Sequence, residues 1–254
     1  MQVMRYVAVG DSFTEGVGDW RADGTPRGWA DRVAEGLAAA STEPVHYANL
    51  AIRGRLLVPI ATTQLNAALA LDPLPTLLTF NGGGNDMLRP GHDTTVQMGL
   101  IRHAVERCLE AGVRPVLLSG PDPSDGLPFG RAIHERGAAL TEAGLKLASE
   151  LGVLYVNGFG DQQLREAQFW CDDRLHLNPY GHALMAAKVL ASLDVESPIE
   201  VGPEPRVWYE GFNTEVRYYR DHVAPWVGRR IRHKSSGDNR TPKHPTWTLV
   251  ARAA

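Results

Sequence analysis

The sequence predicts an α/β protein built as a three-layer α/β/α sandwich. Three features carry that expectation: short apolar runs bounded by Gly, Pro or Asn, segments of helical spacing between them, and strict alternation of the two. The runs fall at residues 6–9, 47–52, 76–80, 116–119 and 153–156, giving five strands. Between and after them, residues 28–40, 56–71, 96–111, 135–151 and 181–193 carry apolar side chains three and four apart, as an amphipathic helix requires.

Strands that alternate with helices pair in parallel through right-handed crossovers, which puts helices on both faces of the sheet. Ligands of such sheets gather beyond the carboxyl ends of the strands. The polar, glycine-rich segments of this chain lie at those ends. GDSFTEG follows the first strand, RGR the second and NGGGND the third, so all three can converge on one crevice.

Composition agrees with one ordinary globular core. The chain has 254 residues, 43% hydrophobic and 22% charged, a length that favours one domain over two. The opening MQVMRYVAVGDSF turns polar after a short apolar stretch, so neither a signal peptide nor a membrane span is expected, and the expected location is cytoplasmic. Cys108 and Cys171 fall in different predicted elements without a C-x-x-C pair, which gives no support for a disulfide framework or a structural zinc site. No metal site is expected.

The formal net charge of -3 conceals an asymmetry: residues 226–254 hold seven Lys or Arg against the single acid Asp238, about +6 facing a remainder of about -9. Residues 1–195 are expected to form the main domain and 196–254 a basic extension. That extension is read as a solvated arm, or as a segment across the acidic body of its own or a neighbouring subunit; a homo-oligomer is compatible with the second reading. It lacks aromatic interleaving for base stacking, so no nucleic-acid partner is expected.

Ser12 follows the first strand in Gly10-Asp11-Ser12-Phe13, where a turn at Gly10 would aim the hydroxyl into the crevice. Turn chemistry or a helix N-cap explains the same residues. A serine becomes a nucleophile only when a base takes its proton, and Asp173-Arg174-Leu175-His176 supplies an imidazole with a carboxylate close enough to hold its tautomer. A solvated loop histidine is the plain alternative. Acyl transfer also needs donors for the developing oxyanion; the Gly54 and Ser12 N-H groups and the Asn85 amide suit that role. A simple turn at Gly54, or a flexible or phosphate-cradling loop over 81–86, would read the same way. The nucleotide-binding reading lacks both the Gly-x-Gly-x-x-Gly fingerprint and a P-loop lysine.

Taken together, the four blocks resemble the SGNH hydrolases, also called the GDSL esterases and lipases. Gly10-Asp11-Ser12, Gly54, Gly83-Gly84-Asn85-Asp86 and Asp173-Arg174-Leu175-His176 match in order, across about residues 5 to 193. Phe13 stands where the family name implies leucine, beside the nucleophile and outside the chemistry.

The resemblance implies a flavodoxin-like sheet of order 2-1-3-4-5, no cofactor, a catalytic set of Ser12, Asp173 and His176, and an oxyanion hole from Ser12, Gly54 and Asn85. It also implies a small-molecule ester as substrate. Short acyl or acetyl groups are expected, with Asp11, Trp20, Leu56 and Trp170 as candidate substrate-binding residues near the motif loops and ordinary packing as their other reading. The competing function is a non-catalytic acyl- or anion-binding module of the same fold.

Overall fold

The computed structural model describes residues 3–89, 91–196, 199, 202, 217–223, 225 and 235–252. Its sheet is built from β1 (Arg5–Val9), β2 (Val45–Asn49), β3 (Leu77–Asn81), β4 (Arg114–Ser119), β5 (Leu154–Asn157) and β6 (His244–Val250), in the order β5-β4-β3-β1-β2-β6. The first five are parallel and follow the expected order 2-1-3-4-5.

Period-2 alternation divides the core into two layers. Tyr6 and Ala8 face one layer with Trp29, Val33, Met185 and Leu190, while Val7 and Val9 face the other with Leu57, Ile60, Leu65 and Ile101. Every residue of β3 is buried, as a central parallel strand covered on both faces must be. Helix α2 (Gly28–Ala39) packs with α8 (Pro179–Ser192) on the first face. On the second face, α6 (Thr94–Glu110) packs with α7 (Gly130–Leu151). Full burial of each large apolar side chain contributes roughly 1.5–3 kcal/mol.

Local chemistry sets the helix starts. The Asp93 carboxylate accepts from the Thr95 and Val96 N-H groups, and Asn178 accepts from those of Tyr180 and Gly181 with Pro179 in the first turn. The segment expected as one helix over 56–71 is α3 (Leu57–Pro59), a π-helical turn Ile60–Gln64 and α4 (Leu65–Leu69).

The five-strand expectation needs one correction: a sixth strand, β6, comes from the basic tail and runs antiparallel to β2, pairing Val45 with Val250 and Tyr47 with Thr248. Its physical reason is the edge of β2, whose backbone groups would otherwise stand unpaired. The Trp247 indole anchors the strand by donating to the Pro73 carbonyl at 3.0 Å, and its ring stands edge-on to His46.

Candidate active site

The first block builds a rigid corner. After β1, Asp11 caps the short helix α1 (Ser12–Glu15), its Oδ1 accepting from the Phe13 N-H at 3.1 Å. Gly10 is required there for closeness rather than for a left-handed turn, since a Cβ would lie 2.3 Å from Thr14 Oγ1. Gln64, buried in the π-helical turn, grips Gly10 from both sides: its Oε1 accepts the Gly10 N-H at 2.8 Å and its Nε2 donates to the Gly10 carbonyl at 2.9 Å. Sequence reasoning missed Gln64. Its signal was a lone amide among the buried apolar positions Leu57, Ile60, Leu65 and Ala68.

The fourth block folds back on itself. Asp173 Oδ1 accepts the Leu175 and His176 N-H groups, both at 3.0 Å, and Oδ2 meets His176 Nδ1 at 2.6 Å. Arg174 takes a left-handed φ of 55° inside that turn. Burial pushes the Asp173 carboxyl up, but the bond to His176, its charge and the two backbone N-H groups outweigh burial and hold it at about 2. The carboxylate therefore stays ionised and keeps Nδ1 as its partner.

Between these blocks, Asn85 sits on α5 (Gly84–Met87) after β3. Its Nδ2 donates to Asp11 Oδ2 and to the Arg55 carbonyl, each at 3.0 Å, tying the first three blocks together. Burial raises Asp11 to about 6, opposed by the Phe13 N-H and the nearby His176 and reinforced by Asp86 and Glu15. Asp86 accepts the Leu57 N-H at 2.9 Å, and burial raises its carboxyl as well.

Ser12, Asp11, Asn85 and His176 line one cavity of about 130 Å³. Its body is apolar, walled by Phe80, Leu117 and Tyr155 from the sheet and by Leu140 and Gly137 from α7. Gly54 has a left-handed φ of 73° and does not line this cavity; Ser235 lies directly over its Cα. Of the candidate substrate-binding residues, only Asp11 lines it. Trp20 is half exposed beneath the Arg53 guanidinium, Leu56 starts α3, and Trp170 is buried with its indole on the Leu164 carbonyl. Among the described residues, no group of three or more His, Cys, Asp or Glu could hold a metal ion, and no helix is long and apolar enough to cross a membrane.

The family model for GDSL-like lipases and acylhydrolases matches residues 8–184, which span all three strand-end loops, α6, α7 and the Asp173–His176 turn. The chain belongs to the GDSL-like lipase/acylhydrolase family. Among solved structures of this fold, a psychrotrophic esterase EstA from Pseudoalteromonas is 19% identical, with a TM-score of 0.59 over 75% of this chain and 96% of its own. TesA is 22% identical, with a TM-score of 0.58 over 75% and 98%. The acetylxylan esterase Axe2 from Geobacillus stearothermophilus is 17% identical, with a TM-score of 0.62 over 77% and 98%. No curated protein matches the sequence. The GDSL match ends at residue 184, so the tail that supplies β6 lies beyond it.

Proposed function

We propose that this chain is a serine ester hydrolase acting through an acyl-enzyme on Ser12. The observation that carries the reading is that Ser12 and the Asp173-held His176 line the same cavity, with the Asn85 amide beside them. His176 Nε2 takes the hydroxyl proton as Ser12 Oγ attacks the ester carbonyl, and Asp173 steadies the imidazolium that forms. The carbonyl oxygen becomes an oxyanion received by the Ser12 and Gly54 N-H groups and by the Asn85 amide, which exchanges its bond to Asp11 for one to substrate. The intermediate collapses, His176 protonates the departing alcohol, and a water deprotonated by the same imidazole hydrolyses the acyl-enzyme.

The cavity's size bears on the acyl group. An apolar cavity of about 150 Å³ accommodates a benzene-sized guest, so about 130 Å³ suits acyl groups of up to roughly six carbons. Across p-nitrophenyl acetate, octanoate and palmitate, kcat/KM is expected to fall; a clear maximum at palmitate would overturn the short-chain assignment. We place the catalytic unit in residues 1–195.

The direct test is intact-mass spectrometry after exposure to a fluorophosphonate. Ser12 Oγ attacks phosphorus and fluoride leaves, and a single adduct should map to Ser12 and vanish in Ser12→Ala. The EstA relative is described as inhibited by monoethylphosphonate, which supports this choice of probe. Folded protein that takes no adduct and turns over no ester would favour the binding-module reading.

A further inference from the structure

Three contacts tie the C-terminal tail to the catalytic corner. The Lys243 ammonium is held by the Glu15 carbonyl at 2.7 Å, the Pro26 carbonyl at 3.0 Å, the Arg27 carbonyl at 2.7 Å and the Asp31 carboxylate. Ser235 Oγ donates to the Gly54 carbonyl at 3.3 Å and accepts the Gly237 N-H at 3.2 Å. Gly237 itself lies so close to the turn that a Cβ there would stand 2.0 Å from the Arg53 carbonyl oxygen. β6 fixes the whole segment by extending the sheet from His244 onward.

These contacts fall on consecutive peptide planes. The Arg53 carbonyl and the Gly54 N-H belong to one rigid peptide unit, so a shift of the carbonyl that Gly237 approaches would turn that N-H with it. The next peptide carries the Gly54 carbonyl held by Ser235. On either side, Glu15 Oε2 accepts the Arg53 N-H at 2.6 Å and Asn85 donates to the Arg55 carbonyl at 3.0 Å. The tail thus fills the two central positions of a four-point clamp, and its outer members come from α1 and α5. The turn's own bond, from the Arg55 N-H to the Ile52 carbonyl at 3.3 Å, allows Gly54 its φ of 73° but leaves the orientation of the central peptides to the groups packed against them.

We propose that the tail is a built-in strap whose residues Ser235 and Gly237 position the Gly54 N-H as an oxyanion donor, with Lys243 and β6 as its anchor. The inference rests on the ester-hydrolase reading. Ser235 and Gly237 are positioning residues: they act through the Arg53-Gly54-Arg55 backbone and need touch no substrate. A donor misplaced by a fraction of an ångström is felt chiefly in the transition state, so the strap should govern kcat rather than KM.

The test uses the full chain, with p-nitrophenyl acetate kinetics, fluorophosphonate adduct formation and thermal unfolding measured on each variant. Gly237→Ala should lower kcat at least tenfold with KM within about twofold of wild type. Ser235→Ala should lower kcat by about fivefold, and Ser235→Thr, which restores a hydroxyl, should recover it. Unfolding temperatures of the two Ser235 variants should match wild type; should Gly237→Ala fail to fold, the Ser235 pair decides alone. Folded variants with kcat within twofold of wild type, a loss confined to KM, or a Ser235→Ala defect that threonine leaves unrepaired would each overturn the strap. A wild-type chain with neither turnover nor adduct would instead overturn the hydrolase reading, and the strap with it.

Discussion

Two Asp–His pairs in this molecule have the same bond length and different surroundings. Asp173 Oδ2 meets His176 Nδ1 at 2.6 Å, and Asp122 Oδ2 meets His134 Nδ1 at 2.6 Å. His176 lines the cavity that Ser12 lines. His134 does not; its ring stacks on Phe159 at 5.5 Å and is nearly half exposed, while the fully buried Asp122 also accepts the Ser124 N-H and faces Arg165. A carboxylate bonded to the imidazole Nδ1 is therefore common to the proposed catalytic pair and to one that does not line the cavity. What separates them is whether the free ring nitrogen shares a cavity with a hydroxyl and with oxyanion donors.

Substitutions in the first pair and its partners should produce the large effects. Ser12→Ala should cost about 10⁶-fold in kcat with the unfolding temperature unchanged, because the hydroxyl is the proposed nucleophile and contributes little to the core. Asp173→Asn should cost about 10⁴-fold by presenting the wrong tautomer; a steady-state assay showing less than tenfold loss would contradict the role given to Asp173. Asn85→Ala should cost on the order of 10²- to 10³-fold in kcat, and an effect on KM alone would make Asn85 a binding residue.

The same carboxylate should mark the pH dependence of stability. Asp173 titrates at about 2 in the folded chain against an ordinary 3.8, so the folded state binds its proton less readily than the unfolded one. Its stabilising contribution, about 2 kcal/mol, is complete above pH 4 and lost as pH falls from 4 through 2. Denaturant titrations across that window should show a shallower loss in Asp173→Asn than in wild type; parallel curves would mean that the bond to His176 is not the source.

Much of this was legible in sequence, unevenly. The apolar runs located β1, β3, β4 and β5 within a residue or two, since buried parallel strands are nearly continuous in hydrophobicity. β2 ends at Asn49 rather than near residue 52, because Leu50 and Ala51 remain buried and apolar past the strand's end and prolong the run. β6 was hidden: HPTWTLV alternates polar and apolar groups inside a basic tail, and its partner strand lies about 200 residues earlier. The Ser12, Asn85, Asp173 and His176 blocks stood at strand ends and helix starts, where order along the chain translates into proximity. Ser235 was illegible because its partner is the Gly54 backbone, which no sequence spacing encodes, and Gln64 stood out only as an amide among apolar positions, with nothing to name Gly10 as its partner.

The smallest expected effect is the one that bears most directly on the comparison. His134→Ala removes the Asp122 partner and the Phe159 stack, so it should lower stability by about 1–2 kcal/mol, the cost of a buried acceptor losing one bond while Ser124 and Arg165 keep theirs. Ester turnover well below the unfolding temperature should stay within about twofold of wild type. Phe159 walls the cavity, which gives His134 one physical route to the chemistry. A tenfold fall in kcat in a chain of normal stability would show that route to be in use, and the division between a reactive and a structural pair would have to be redrawn around the cavity wall.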